Sequence, residues 1–252
     1  MRPPQPTMSV QYERHIKEKY IRYESAYMRR ISKFFPAVIL AFGGLLSSGV
    51  TMAEQEVPTT LSPEFQAKLQ TMLREVNSDA AKREAVMSAG RDRAIFCSYC
   101  HGMDGNSEQP DYPNLAGQNP LYLLEQIEKF ADGRRKKPVM NALSEIFTTD
   151  EKMLLAVYYA ISPLKPANAD PAIAQLGESL YQNRCMACHG PDGRGEKGFA
   201  RLAGQKPDYV KKVLKGFRMG TDKRQNPLMQ AVASTLSDTQ IEAVAAYVAN
   251  LR

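Results

Sequence analysis

An all-α fold of two tandem helical domains, joined by a short linker and preceded by an N-terminal export segment, is what this sequence predicts. Three observations carry the prediction: a duplicated run of residues, apolar positions at helical spacing, and the lack of a convincing alternating strand pattern. The chain has 252 residues, 43% hydrophobic and 24% charged, with 16 Gly and 16 Pro. Those fractions are ordinary for a globular protein and exclude a disordered, collagen-like or multi-span membrane chain.

The duplication is read directly from the residues. Cys97-Ser98-Tyr99-Cys100-His101-Gly102 returns as Cys185-Met186-Ala187-Cys188-His189-Gly190. Asp104-Gly105 matches Asp192-Gly193, and Leu115-Ala116-Gly117-Gln118 matches Leu202-Ala203-Gly204-Gln205. Tyr122, Phe130 and Gly133 match Tyr209, Phe217 and Gly220, and Pro138-Val139-Met140 matches Pro227-Leu228-Met229. Tyr158 matches Tyr247. The offset drifts so little that this is a tandem duplication of units of roughly 80 residues. The first unit is assigned to residues 91–165 and the second to 170–252. Between them, the proline-punctuated stretch from Ser162 to Ala169 predicts a short, stiff linker.

Each unit reads as helices. Thr148 with Glu151, and Ser237 with Gln240, predict capping boxes for the last helix of each unit. Their inward faces are Leu154, Leu155, Tyr158 and Ile161 in one, and Ile241, Val244, Ala245 and Val248 in the other. Pro207 opens a helix bearing Tyr209, Val210, Val213, Leu214 and Phe217. Ile173, Leu176, Leu180 and Tyr181 predict one apolar face leading into Cys185. Residues 54–90 have no evident counterpart in the second unit. There Ser62 and Pro63 start a stripe of Phe65, Leu69, Met72, Leu73 and Val76. It predicts an extra helix laid on the first domain; the alternative is a docking helix for a partner.

Residues 1–53 form the export segment. Arg29, Arg30 and Lys33 precede an apolar run from Phe34 to Val50, followed by Thr51-Met52-Ala53. This is the basic, apolar, small-residue order of a secretory signal, with Met28 as the expected true start. A retained membrane anchor is the competing reading, since twenty residues, 34–53, suffice for one crossing. Either way the remainder is exported, which points to the periplasm, with the protein soluble after cleavage or tethered to the inner membrane. Residues 1–53 also hold eight Lys/Arg against three Asp/Glu, most of the formal +6. The rest lacks an overall basic footprint for nucleic acid. It is polarised, with 13 basic and 16 acidic residues over 54–169, and 12 and 8 over 170–252. A docking patch is expected at Arg134, Arg135, Lys136 and Lys137, a solvated basic loop being the alternative.

Outside residues 1–53, every Cys and every His belongs to one of the two Cys-x-x-Cys-His runs. That run is an attachment signature for haem c. Positions i, i+3 and i+4 share a helix face, so Cys97 and Cys100, or Cys185 and Cys188, can bond the two vinyl groups of one porphyrin. His101 or His189 then faces the iron from the same side. A zinc site would need four close ligands, yet the pairs are 88 residues apart. A thioredoxin-like pair needs a βαβ setting, and disulfides across two residues would stabilise little. Two covalently attached haem c groups are therefore expected. No His remains for the sixth position, so the choices are Met or an open site. Met140 and Met229 are the pair related by the repeat, each in an expected loop two residues after a Pro. Met219 has no partner in the first unit, and Met153 falls on the last helix.

The order of Cys-x-x-Cys-His-Gly, Leu-Ala-Gly-Gln and Pro-x-Met, twice over residues 91–252, resembles the two-haem cytochrome c4 family of class I cytochromes c. The resemblance implies a periplasmic electron carrier, not an enzyme, with His/Met ligation in both domains. It implies domains related by a pseudo-twofold axis with their haem edges close. It implies transfer from a quinol-oxidising complex towards a terminal oxidase, with membrane contact only through an N-terminal anchor. In such domains a Pro carbonyl before Leu-Ala-Gly-Gln accepts the proximal His ring N–H. Pro113 matches; Ala200 stands in the second domain, where the carbonyl is expected to be less constrained. Two other readings stand beside the carrier: a haem subunit dedicated to one dehydrogenase or sulfur-oxidising enzyme, and a diheme peroxidase.

Overall fold

The computed structural model describes residues 61–252 except Gln225; the expected export segment, residues 1–53, lies outside the described residues. These residues belong to one compact unit, Glu54–Arg252. They form helices only, with no strand among them. After α1 (Pro63–Ser78), the first repeat holds α2 (Ala80–Ala94), α3 (Ser98–His101), α4 (Pro120–Ala131), α5 (Pro138–Glu145) and α6 (Thr149–Ile161). The second holds α7 (Pro171–Arg184), α8 (Met186–His189), α9 (Pro207–Arg218), α10 (Pro227–Ser234) and α11 (Asp238–Asn250).

Ser62 Oγ accepts the Phe65 N–H, and Pro63 and Pro207 open helices as read. Pro120, Pro138, Pro171 and Pro227, not read as starts, also occupy first turns. Both capping boxes form. One boundary differs. Residue 91, expected to open the first unit, falls inside α2, which starts after Asp79 caps Ala81 and Lys82. This helix corresponds to α7 and belongs to the repeat. Its sequence is alanine-rich and charged, so no apolar stripe marks it.

α1 is the true addition. Leu69 and Val76 are buried in the first core beside Val86, Leu124 and Tyr158, and Lys68 pairs with Asp150 on α6. The apolar stripe is thus spent within the chain rather than offered to a partner. In the second repeat the core is smaller, built on Tyr181, Val210, Val244, Ala245 and Val248. Leu176, expected inside, is 70% exposed. Ala174, Gly177 and Tyr181 line the inner face of α7 instead.

Gly177 explains that choice, since α7 crosses the last helix at near contact. A Cβ there would lie 2.2 Å from the Ala243 carbonyl oxygen and 2.9 Å from Tyr247 Cβ. Gly90, its counterpart in α2, would place a Cβ 2.5 Å from Tyr158 Cβ. Residues 158 and 247 are themselves repeat partners, so one helix crossing occurs twice.

The linker is pinned on both sides. Asn106 bonds Pro163 and Lys165, while Asn250 bonds Ala169 through both its amide atoms. Leu-Ala-Gly-Gln turns from the two repeats meet across the join, with Gln118 and Gln205 both buried.

Because a backbone oxygen blocks the space, Gly177→Ala is expected to cost about 3 kcal/mol, lowering the thermal midpoint by roughly 6–12 °C. Thermal unfolding followed by circular dichroism checks this; an unchanged midpoint would contradict the close crossing.

Candidate haem sites

Each Cys-x-x-Cys-His run folds as a single helical turn. His101 N–H bonds the Cys97 carbonyl at 3.0 Å, and His189 N–H bonds the Cys185 carbonyl at the same distance. On this turn the two thiols of each run lie within reach of each other's charge, and the imidazole leaves from its last residue. Gly102 and Gly190 then reverse the chain at φ of 74° and 82°. A side chain at Gly102 would also strike the Asn106 carbonyl oxygen at 2.3 Å, so only glycine fits the exit.

The chain then returns over the ring. Gly105 O accepts the N–H groups of Leu115 and Ala116, and Gly193 O those of Leu202 and Ala203. That loop carries the carbonyl that orients each imidazole. His101 Nδ1 donates to Pro113 O at 3.0 Å, and His189 Nδ1 to Ala200 O at 2.8 Å. Ala200, without a proline ring, still presents its carbonyl, between the Phe199 N–H bond to Glu196 O and the Leu202 N–H bond to Gly193 O. Tyr112 and Phe199, one residue upstream of these carbonyls, meet the two imidazoles edge-on.

With Nδ1 committed to a carbonyl, each ring offers only Nε2. Burial holds both imidazoles below their ordinary pKa, so both are neutral, the form that ligates a metal. The four cysteines are unpaired. Burial pushes the Cys97 thiol up, and the Cys185 thiol up to about 11. Neither is the low-pKa thiolate of a redox pair.

Met140 and Met229 stand at one position of two short helices. Each is the third residue of its helix, two after the opening proline, on α5 and α10, and each is half-buried. The expected loops are helical because Pro138 and Pro227 start a turn rather than break one. Asn141 holds α5 against α4, donating to the Phe130 and Arg135 carbonyls and accepting the Lys137 N–H. Asn226 caps α10 by accepting the Met229 N–H. Met153 is fully buried in the first core and Met219 is largely exposed.

The sequence reading missed a pair of arginines. Arg135, expected in an exposed basic patch, lies over the Phe130 ring at 4.3 Å and donates to Gln126. Its repeat partner Arg224 lies over Phe217 and Tyr209, bonds Tyr209 Oη and pairs with Asp222. Burial and then the Arg224 charge push Arg135 below its ordinary value. Arg135 has no ion pair among the described residues, and Arg224 Nε is buried without an acceptor. The signal was present: both arginines stand three residues before the paired prolines. A buried cationic pair short of anions suits a group that brings its own carboxylates, as porphyrin does. Open Nε2 atoms, unpaired thiols and this cationic pair all fit haem c.

Duplicated Cys-x-x-Cys-His turns in an all-helical fold, with carbonyl-held imidazoles, define a c-type cytochrome with two haem sites. A family model described as Cytochrome c matches residues 174–252. The cytochrome c4 of Pseudomonas aeruginosa is 36% identical over 65% of this chain and 88% of its own. That of Thiocapsa roseopersicina is 39% identical over 68% and 96%. The thiosulfate dehydrogenase electron acceptor of Stutzerimonas stutzeri is 30% identical over 73% and 93%. The crystal structure of reduced recombinant cytochrome c4 from Pseudomonas stutzeri superposes with a TM-score of 0.61 at 33% identity, covering 66% of this chain and 98% of that one. The chain belongs to the cytochrome c4 family. It is an electron carrier with two covalently attached haem c groups.

The double variant Cys97→Ala, Cys100→Ala is expected to lose one haem and keep the other, read by intact mass and by haem absorbance per polypeptide. Two haems remaining on the variant would contradict attachment at this turn.

Proposed function

We propose that this chain carries electrons in the periplasm between respiratory redox proteins. In this reading Cys97 and Cys100 hold one haem, with His101 and Met140 on its iron. Cys185 and Cys188 hold the other, with His189 and Met229. The observation that supports it best is the repetition of the donor sets: carbonyl-held imidazoles, two thiols on one turn and a methionine two residues after a helix-opening proline. The haem-binding domains then run from α2 to α6 and from α7 to the end, α1 being a brace on the first. Residues 1–53 serve export.

When bound, each haem supplies a one-electron ferric–ferrous couple. The side chains decide what that couple is used for. His101 and His189 present Nε2 and keep it aimed through their Nδ1 bonds. Met140 and Met229 supply thioethers, which favour the ferrous state and leave no open position for a substrate. Arg135 and Arg224 offset the porphyrin carboxylates. No side chain in this set moves a proton or activates a ligand, as a carrier requires.

For the partners, delivery from a quinol-oxidising complex to a terminal oxidase is the reading taken from the family. The acidic first half and basic second half support oriented, salt-sensitive docking. A second reading has specific support: a relative named as an electron acceptor of thiosulfate dehydrogenase is 30% identical. Here the donor is a sulfur-oxidising enzyme. Reduction by thiosulfate and its dehydrogenase, at a rate the quinol-oxidising complex does not match, would select that donor.

Met140→Ala and Met229→Ala are each expected to open one iron, lower its potential and remove half of the far-red sulfur-to-iron band. Ferric absorption spectra and a redox titration check this. A full-strength band in either variant would show that another residue is the ligand.

A further inference from the structure

The Leu-Ala-Gly-Gln turns cross the join reciprocally. Gln118 Oε1 accepts the Arg201 N–H at 2.5 Å, and Gln118 Nε2 donates to the Arg201 carbonyl at 2.9 Å. Gln205 Oε1 accepts the Asn114 N–H at 2.8 Å, and Gln205 Nε2 donates to the Asn114 carbonyl at 3.0 Å. Each glutamine also accepts the N–H of its own next residue, Asn119 or Lys206. Both side chains are 6% exposed. The arrangement has the twofold character of the repeat, each half gripping the other by one amide.

What is gripped matters. The Arg201 N–H belongs to the same peptide unit as the Ala200 carbonyl, which accepts the His189 Nδ1 proton. The Asn114 N–H belongs to the same peptide unit as the Pro113 carbonyl, which accepts the His101 Nδ1 proton. Two unbroken chains therefore run from Gln118 to His189 and from Gln205 to His101. A peptide plane whose N–H is bonded is polarised, so its carbonyl becomes the stronger acceptor. A stronger acceptor at Nδ1 makes the imidazole a better donor at Nε2 and favours ferric iron.

We infer that Gln118 and Gln205 are positioning residues that act crosswise: each glutamine tunes the iron of the opposite half through one shared peptide unit. The join between the halves then sets both potentials as well as their spacing. Loosening it raises both, so a partner that flexes the join alters the driving force at both irons. The inference rests on the reading that His101 and His189 are the proximal ligands, and is independent of Met140 and Met229.

The test uses the full two-haem protein in its diamagnetic ferrous state. Nitrogen-15 NMR follows exchange of the His101 and His189 Nδ1 protons, and a redox titration follows each haem. Gln118→Met keeps length but removes both bonds. It is expected to speed exchange at His189 alone and raise the second haem's potential. The change should be severalfold in the one-electron equilibrium, below the tenfold that corresponds to about 59 mV. Gln205→Met is expected to do the same to His101 and the first haem. Gln118→Asn, one methylene shorter, withdraws both bonds without adding bulk, so it should also raise the second potential and speed exchange at His189. It stands as the readout if the methionine variant does not fold. Equal changes at both histidines, a change in the same half as the substitution, or no change at either would overturn the crossing. Ferrous spectra with no iron-bound histidine resonances would overturn the ligand reading itself.

Discussion

One hydrogen bond organises each half of this protein: the imidazole Nδ1 donates to a backbone carbonyl from the loop that returns over it. A free histidine ring has two distinct nitrogens to offer. The carbonyl removes one of them. Around that bond the rest of the half is arranged. The single helical turn fixes where the ring starts, the glycine after it lets the chain leave, and the loop at Gly105 or Gly193 brings the carbonyl back. The long helices supply rigidity, and the crossings at Gly90 and Gly177 lock the first helix of each repeat against its last.

Duplication turns this into a two-centre device. The surfaces that meet are the same in both halves, so the glutamine-to-backbone contacts come in a reciprocal pair, and Arg135 and Arg224, like Tyr122 and Tyr209, lie near enough to feel each other's charge. The arginine pair is a liability in an empty site, since two buried like charges repel. The carboxylates of a bound porphyrin would offset that repulsion, and a buried porphyrin would add apolar surface to repeats of this size with modest cores. The first half depends on this less, because α1 adds Leu69 and Val76 to its apolar interior.

Much of this was legible in the residues. Pairing of Cys, His, Met, Pro and Tyr at a steady offset marked both candidate sites, and Ser62-Pro63, Pro207 and the two capping boxes marked the starts of α1, α9, α6 and α11. Three things were not. α2 was hidden because Ala80–Ala94 is alanine-rich, with charges where a stripe would break, and its burial rests on small residues such as Gly90 and Ala94. Leu176 was misplaced because a close crossing selects glycine over bulk, and apolar periodicity cannot see that. Arg135 was read as surface because four consecutive basic residues look solvated, while only its position before Pro138 tied it to Arg224. The Leu-Ala-Gly-Gln turns were visible as a repeat, but a glutamine that bonds across a join leaves no local mark.

The account stands on two irons, each closed by an imidazole and a thioether. Low-temperature electron paramagnetic resonance of the fully ferric protein, integrated against protein concentration, tests that directly. It should give two low-spin centres per polypeptide and no high-spin signal. A high-spin ferric signal integrating to one centre, or a single low-spin centre, would contradict it.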